Sequence, residues 1–384
     1  MSPFGAVPEP KSLLAFHRVL APTAGVRVSP LCLGAMNFGD AWEDFMGKCD
    51  KKMTFEILDF FFEQGGNFID TANNYQNEES ELWIGEWLTA RNNRDEIVLA
   101  TKFTTTFPDP RNSTPRQRTN YAGNSSKSLK VSVEASLKKL QTTYLDLLYV
   151  HWWDFTTGVP ELMQSLNHLV ASGKVLYLGV SDTPAWVVSK ANEYARNHGL
   201  RPFSVYQGRW SAADRDFERD ILPMARDEGM ALAPWGALGG GNFTTEAKRA
   251  ANEKGRNMAP PSDKQIQISK KLEAIATKKN TQITSVALAY VMHKAPYVFP
   301  IVGGRNVAHL KGNIEALGLE LEDEEIDEID GAAEFELGFP MNFLFEFGGD
   351  KYSTRMTSSD VSILKYAGKL DSVPHTRPIK PHGL

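Results

Sequence analysis

Leu145-Asp146-Leu147-Leu148-Tyr149-Val150, then Pro160–Ala171, then Gly173 and Val175-Leu176-Tyr177-Leu178-Gly179-Val180, is the stretch on which the architecture turns. Each apolar run is short and bounded, as a strand buried on both faces should be. The stretch between them carries apolar residues at helical spacing over about three turns. Gly173 supplies the left-handed residue that ends a helix without a Cβ penalty. A strand, a helix and a parallel return strand make one βαβ unit.

The unit recurs in both directions along the chain. Apolar runs at Leu31–Leu33, Phe68–Ile69, Ile97–Ala100, Phe203–Tyr206, Met230–Ala233 and Tyr297–Val302 bring the strand candidates to eight. Helices are expected over Thr54–Gln64, Glu79–Ala90, Ser128–Leu140, Pro184–Asn197 and Phe217–Glu228, with Gly65, Gly199 and Gly229 as further stops. Thr183-Pro184 reads as an N-cap with proline at the first helical position. Ser262 with Gln265 reads as a capping box before Gln267–Lys279. Eight strands with helices between them predict an α/β fold, a (β/α)8 TIM barrel in a single domain, which needs about 250 residues. A doubly wound open sheet is the rival. Residues 26–334 would form the barrel. Residues 1–25 precede it, with His17–Leu20 and Val26–Val28 pairing as a hairpin. Residues 335–384 form an aromatic-rich tail, expected to pack on the barrel flank or on a partner subunit, as in a homo-oligomer, with a lid over the mouth as the rival.

Composition narrows the function. The 384 residues are 42% hydrophobic and 23% charged, which excludes disordered and fibrous classes. A net charge of −5 gives no basic face for a nucleic acid. Cys32 and Cys49 match neither a disulfide framework nor a metal or redox motif, so no metal is expected. No apolar stretch reaches the ~18 residues of a membrane helix. Met1–Gly5 shows no charged-then-apolar leader, so a cytoplasmic protein without a membrane partner is the expectation.

In a barrel, side chains at the C-terminal strand ends converge on one mouth. The second run leads to Asp70, Thr71 and Tyr75, the third to Thr101 and Lys102, the fourth to His151. Ser181-Asp182, Gln207, Trp235 and Gly303-Gly304-Arg305 follow the remaining four. Singly, each has an ordinary reading: Asp70 and Thr71 as helix caps, Lys102 as a solvated strand end, His151 as a structural imidazole. Together they deliver a carboxylate, a phenol, an ammonium and an imidazole to one place. A phenol with a pKa near ~10 donates poorly unless its phenolate is stabilised. A lysine does that, and a carboxylate keeps the lysine charged. Imidazole can hydrogen-bond a carbonyl oxygen. The set suits carbonyl reduction, with Tyr75 as general acid tuned by Lys102 and Asp70, and His151 seating the carbonyl. No side chain supplies a hydride, so a cofactor must.

Gly66-Asn67-Phe68-Ile69-Asp70-Thr71-Ala72-Asn73-Asn74-Tyr75, Ala100-Thr101-Lys102 and Val150-His151-Trp152 resemble the Asp–Tyr–Lys–His segments of the aldo-keto reductase superfamily. Gly179-Val180-Ser181-Asp182, Tyr206-Gln207 and Pro300-Ile301-Val302-Gly303-Gly304-Arg305 resemble its cofactor-binding segments, in the same order. The similarity covers residues 18–334. Ala233-Pro234-Trp235-Gly236 and the Phe-rich tail resemble the fungal aryl-alcohol dehydrogenase and norsolorinic acid reductase branch. The resemblance implies a barrel that binds extended NADP(H) without a Rossmann domain. It implies that Ser181, Asp182 and Gln207 hold the nicotinamide carboxamide and that Trp235 stacks on the ring. Gly236, Leu238, Gly239 and Gly241 would wrap the pyrophosphate. Gly303, Arg305, Asn306, His309 and Asn313 match the segment that grips the 2′-phosphate and adenine, Arg305 foremost because its planar fork pairs with phosphate. The chain departs from the family pattern at Asp182, usually asparagine, at Gln76, usually glycine, and at Gly303 and His309, where relatives carry lysine and arginine.

Trp42, Phe45, Trp152 and Trp153 are expected at the substrate pocket, favouring a flat aromatic carbonyl or alcohol over a sugar. Trp152 and Trp153 read equally as core packing, and Trp42 and Phe45 as surface anchors. The resulting expectation is NADPH-dependent, reversible reduction of aryl aldehydes or ketones. A larger fused-ring polyketide ketone in fungal secondary metabolism is the alternative substrate. An NADP-binding regulatory subunit with little or no turnover is the alternative function.

Overall fold

The computed structural model describes residue 5 and residues 9–108, 115–250 and 260–382. Strands β1 (Arg18–Ala21) and β2 (Ala24–Val28) form an antiparallel hairpin. Eight parallel strands follow: β3 (Cys32–Gly34), β4 (Phe68–Asp70), β5 (Val98–Phe103), β6 (Leu145–Val150), β7 (Val175–Ser181), β8 (Phe203–Arg209), β9 (Ala231–Trp235) and β10 (Ile301–Val302). β10 pairs with β3 through Ile301 and Cys32. The residues just before β10 bond to β9: Leu232 N donates to Tyr297 O at 2.9 Å, and Phe299 N donates to Leu232 O at 2.8 Å. Those bonds close the sheet on itself, so the fold is the (β/α)8 TIM barrel and not the open sheet.

Helices Lys51–Glu63, Glu79–Arg91, Ser126–Lys139, Val159–Ala171 and Ala185–Asn197 follow the first five barrel strands. Gly65, Gly173, Gly199 and Gly229 have φ of 91°, 71°, 65° and 64°, the left-handed stops their positions require. The Ser262–Gln265 capping box opens Asp263–Lys278. Thr183 is not the expected N-cap. The chain turns at Asp182 (φ 40°), Pro184 takes the cap position, and the Thr183 hydroxyl donates back to Ser181 O at 2.8 Å. Between Arg209 and Met230 the expected single helix is broken into a 3-10 turn, Asp216–Glu218, and the helix Ile221–Asp227.

Two apolar layers separate by residue parity. Cys32, Phe68, Val98, Ala100, Leu147, Tyr149, Val205, Ala231, Ala233 and Phe299 fill the barrel interior. Leu33, Ile69, Leu99, Leu148, Val150, Leu178, Val180 and Leu232 pack against the helices. Alternation follows from the two-residue repeat of a strand. One step further toward the C-terminal ends, the inward series reaches Asp70, Lys102, His151, Gln207 and Trp235. Leu20, Ala21, Ala24 and Val28 join the inner layer, so the hairpin plugs the N-terminal end.

The tail lies on the flank. Phe335 sits beneath the guanidinium groups of Arg215 and Arg219, at 4.4 and 5.2 Å. The Thr354 hydroxyl donates to Lys294 O at 3.2 Å, and Arg355 pairs with Asp327 at 2.6 Å. His382 stacks on Phe16 at 4.3 Å, beside the hairpin. Among the described residues no helix is long and apolar enough to cross a membrane.

Candidate active site

Lys102, 1% exposed, is the centre of the mouth. Its Nζ donates to Asp70 Oδ1 at 2.5 Å, to Thr71 O at 2.8 Å and to Tyr75 Oη at 3.3 Å, which uses all three N–H groups. Gln207 Nε2 donates to the other Asp70 oxygen at 3.0 Å. The Tyr75 and His151 rings meet edge to face, 6.0 Å apart at 78°. The four residues named from strand ends thus stand in one cluster. Burial alone would drag the Lys102 ammonium down, but Asp70 and Tyr75 outweigh it and hold it above its ordinary value. Burial raises the Tyr75 phenol and Lys102 pulls against that rise, so the phenol is protonated at neutral pH. Burial and the Lys102 charge push His151 down to about 3, which makes the imidazole neutral.

Tyr75 stands on a strained turn. Gln76, Asn77 and Glu78 follow it with φ of 51°, 49° and 83°, three successive left-handed residues without a glycine. The Gln76 side chain accepts from Trp42 N at 2.7 Å and donates to Met36 O at 3.0 Å. Glu79 accepts from Asp40 N and Ala41 N at 2.7 and 2.9 Å, and Asn77 accepts from Trp42 Nε1 at 3.1 Å. A glycine at 76 would adopt the turn easily but could not tie down the loop after β3. From the other side Lys139 Nζ donates to Asn73 O at 2.9 Å and pairs with Glu81 at 2.7 Å and Glu78 at 3.1 Å.

The residues expected at a cofactor divide. Ser181 Oγ is buried and has no hydrogen-bond partner of normal geometry among the described residues, its polar neighbour being the Asp182 carboxylate. Asp182 accepts from Trp235 Nε1 at 3.2 Å, and burial raises its carboxyl pKa. Trp235 is 36% exposed at the mouth. Gln207 has one amide hydrogen committed to Asp70, which sequence reasoning did not foresee. Gly236, Gly239 and Gly241 all have positive φ. Gly239 has a packing reason as well, since a Cβ there would lie 2.9 Å from the Phe243 ring, whereas Gly241 borders open space. Leu238 is partly buried against the core. Arg305 has no ion-pair partner among the described residues and lies against the Gly47 backbone, while Gly304 O accepts from Asn37 Nδ2 at 2.6 Å. Asn306 caps Val307–Glu315 by accepting from His309 N at 3.0 Å, so its oxygen is already engaged. His309 Nδ1 accepts from Arg305 N at 3.3 Å. Asn313 is buried on the same helix, and Gly303 is half-buried at the end of β10.

The aromatic candidates separate too. Trp42 meets the Tyr75 ring at 6.3 Å, edge to face. Phe45 is half-exposed on the short helix Glu43–Met46. Trp153 is partly buried against the hydrophobic core. Trp152 is at the mouth, but its indole nitrogen is bonded to Thr105 Oγ1 at 2.9 Å. Sequence reasoning missed Thr105, which also lies 3.2 Å from His151 Nδ1. Phe155 and Trp186, in the segments after β6 and β7, are 73% and 63% exposed, which no local pattern reveals.

The Aldo/keto reductase family matches residues 30–334, and the chain belongs to that family. It is an oxidoreductase. It is 60% identical to norsolorinic acid reductase A of Aspergillus parasiticus over 376 residues, 97% of this chain and 95% of that protein. It is 57% identical to norsolorinic acid reductase B of Dothistroma septosporum over 372 residues, 96% of this chain and 94% of that protein. An aryl-alcohol dehydrogenase of Pestalotiopsis microspora is 54% identical over 375 residues, 97% of this chain and 95% of that protein.

Proposed function

We propose that the protein is an NADP(H)-dependent reductase of aryl aldehydes and ketones, acting reversibly, in fungal secondary metabolism. The observation that carries this reading is the set of contacts of Lys102 with Asp70 and Tyr75, beside His151. The unpartnered hydroxyl of Ser181, the exposed indole of Trp235 and the open space beside Gly241 fit a nicotinamide dinucleotide, and the unpaired Arg305 fits a ribose phosphate. When bound, the reduced nicotinamide supplies the hydride. Ser181, Asp182 and Gln207 would hold its carboxamide, Trp235 its ring, and Gly236 with Gly241 its pyrophosphate.

The chain's own residues handle the oxygen. The neutral imidazole of His151 hydrogen-bonds the carbonyl and aims it at Tyr75. Tyr75 Oη gives its proton to that oxygen as negative charge develops there. Lys102 stabilises the phenolate left behind, and Asp70 keeps Lys102 charged. In the oxidative direction the phenolate takes the proton back. Trp42 and Trp152 present flat walls to an aromatic substrate. The relatives' names supply two substrates to test, an aryl alcohol or its aldehyde and norsolorinic acid.

The test follows NADPH absorbance with benzaldehyde and with norsolorinic acid. Wild-type protein should consume NADPH. Tyr75→Phe should lower kcat by about 10²–10⁴-fold, the contribution typical of a positioned acid, with the NADPH Kd unchanged. Full activity in that variant would overturn the mechanism. Tight NADPH binding without turnover across a broad carbonyl panel would favour a regulatory subunit instead.

A further inference from the structure

The tautomer of His151 is tied to its neighbours. Its Nδ1 lies 3.2 Å from Thr105 Oγ1, and the same hydroxyl accepts the indole hydrogen of Trp152 at 2.9 Å. An indole N–H only donates, so that bond occupies a lone pair of the hydroxyl and leaves its hydrogen free. Among the described residues the hydroxyl meets no other partner, so giving that hydrogen to His151 Nδ1 is the arrangement that pairs every group within the protein. A ring that accepts at Nδ1 carries its proton on Nε2. With the opposite tautomer, Nε2 would present a lone pair to a carbonyl oxygen, and the two would repel.

The backbone beside this contact is strained. Thr104, fully buried, has φ 101°, a conformation that a β-branched residue adopts only when its surroundings enforce it. They do so here: Asn124 Nδ2 donates to Thr104 Oγ1 at 3.0 Å, Gly123 N donates to Thr104 O at 2.8 Å, and His151 N donates to Thr104 Oγ1 at 3.2 Å. Asn73 Nδ2 donates to Thr105 O at 2.9 Å and fixes the next residue. We propose that Trp152 and Thr105 form a one-way relay, indole N–H to hydroxyl to imidazole, that locks His151 as the Nε2–H donor toward the substrate carbonyl. Thr105 and Trp152 are then positioning residues, and the polar edge of Trp152 matters as much as its face. The proposal rests on the reductase reading for its purpose, although the tautomer itself needs no turnover.

The test uses full-length protein labelled with ¹⁵N-histidine and proton–nitrogen correlation spectra, with His151 assigned by its loss in His151→Gln. Wild type should show an unprotonated Nδ1 and a protonated Nε2. Thr105→Val should shift the ring toward the Nδ1–H form, or a mixture, and lower kcat about 10- to 100-fold, the size of effect typical when the outer partner of a metal-bound imidazole is removed. The NADPH Kd should not change, and Thr105→Ser should restore both readouts. Trp152→Phe keeps a ring but removes the donor, and should mix the tautomers. A wild-type spectrum with the proton on Nδ1 overturns the relay, as does a Thr105→Val or Trp152→Phe protein with wild-type tautomer and kcat. An inactive wild type with the Nε2–H tautomer would sink the reductase reading while leaving the relay standing.

Discussion

Lys102 has its three hydrogens directed at a carboxylate, a backbone carbonyl and a phenol, and no water is needed to complete the set. A buried ammonium without a counter-charge sheds its proton, and Asp70 at 2.5 Å prevents that. Removing the cation reverses the argument. Lys102→Met should leave Asp70 as an uncompensated buried charge, at a cost of about 3–5 kcal/mol, and abolish turnover. Urea unfolding compared with Tyr75→Phe checks this, because the phenylalanine variant loses the hydroxyl but keeps the ion pair. Asp70, Lys102 and His151 were legible in the sequence because each ends an apolar run. Thr105 was not, since a threonine in a loop carries no pattern. Trp152 was read for its face alone, because nothing local reveals where an indole N–H points.

At the scale of elements, the turn after Tyr75 gathers three of the ten non-glycine residues with positive φ among the described residues. A left-handed residue other than glycine costs ~1–2 kcal/mol, so Gln76, Asn77 and Glu78 together store a few kcal/mol. Lys139, on the inner face of Ser126–Lys139, grips the turn on both sides through Asn73 O and Glu78. Lys139→Met should lower stability by about 3 kcal/mol, since it strands the buried Glu81 carboxylate. It should also speed hydrogen exchange in residues 73–79 and in the loop 36–42 that Gln76 and Glu79 hold. Mass-detected exchange checks this; unchanged protection there would mean that the other ties suffice. Helix Ile283–Lys294 shows the opposite limit of legibility. It is buried nearly all round, so it shows no polar stripe by which an amphipathic helix is recognised.

Across the whole molecule, charge is buried in several places among the described residues, the mouth and the Lys139–Glu81 pair among them. Another such cluster joins the flank to the tail, where Lys294 Nζ lies 2.9 Å from Glu218 and 2.8 Å from Asp330, and Arg215 pairs with Glu218 at 2.8 Å. Acid sensitivity should come first from histidines. Burial holds His151 at about 3 and His293 at about 4, against an ordinary value of 6.5. Below pH 6.5 the unfolded chain takes up protons that the folded chain refuses, so their contribution is complete above 6.5 and is lost as pH falls to about 4 for His293 and about 3 for His151. Each unit of depression corresponds to ~1.4 kcal/mol. The Tm should fall between pH 7 and 5, and His293→Gln, remote from the mouth, should remove part of that fall without altering kcat. A Tm flat over that range would contradict it.

The strand–helix rhythm, the glycine stops and the identities of the residues at each strand end are written in the sequence, because they depend on repeats of two and 3.6 residues within reach of one element. Closure of the barrel is not, since it needs Leu232 to meet Phe299. Nor is the partnership of Gln207 with Asp70, which are 137 residues apart, or the hydroxyl that faces His151. A hydrogen bond is set by distance and direction in space, and those exist only once remote segments have packed.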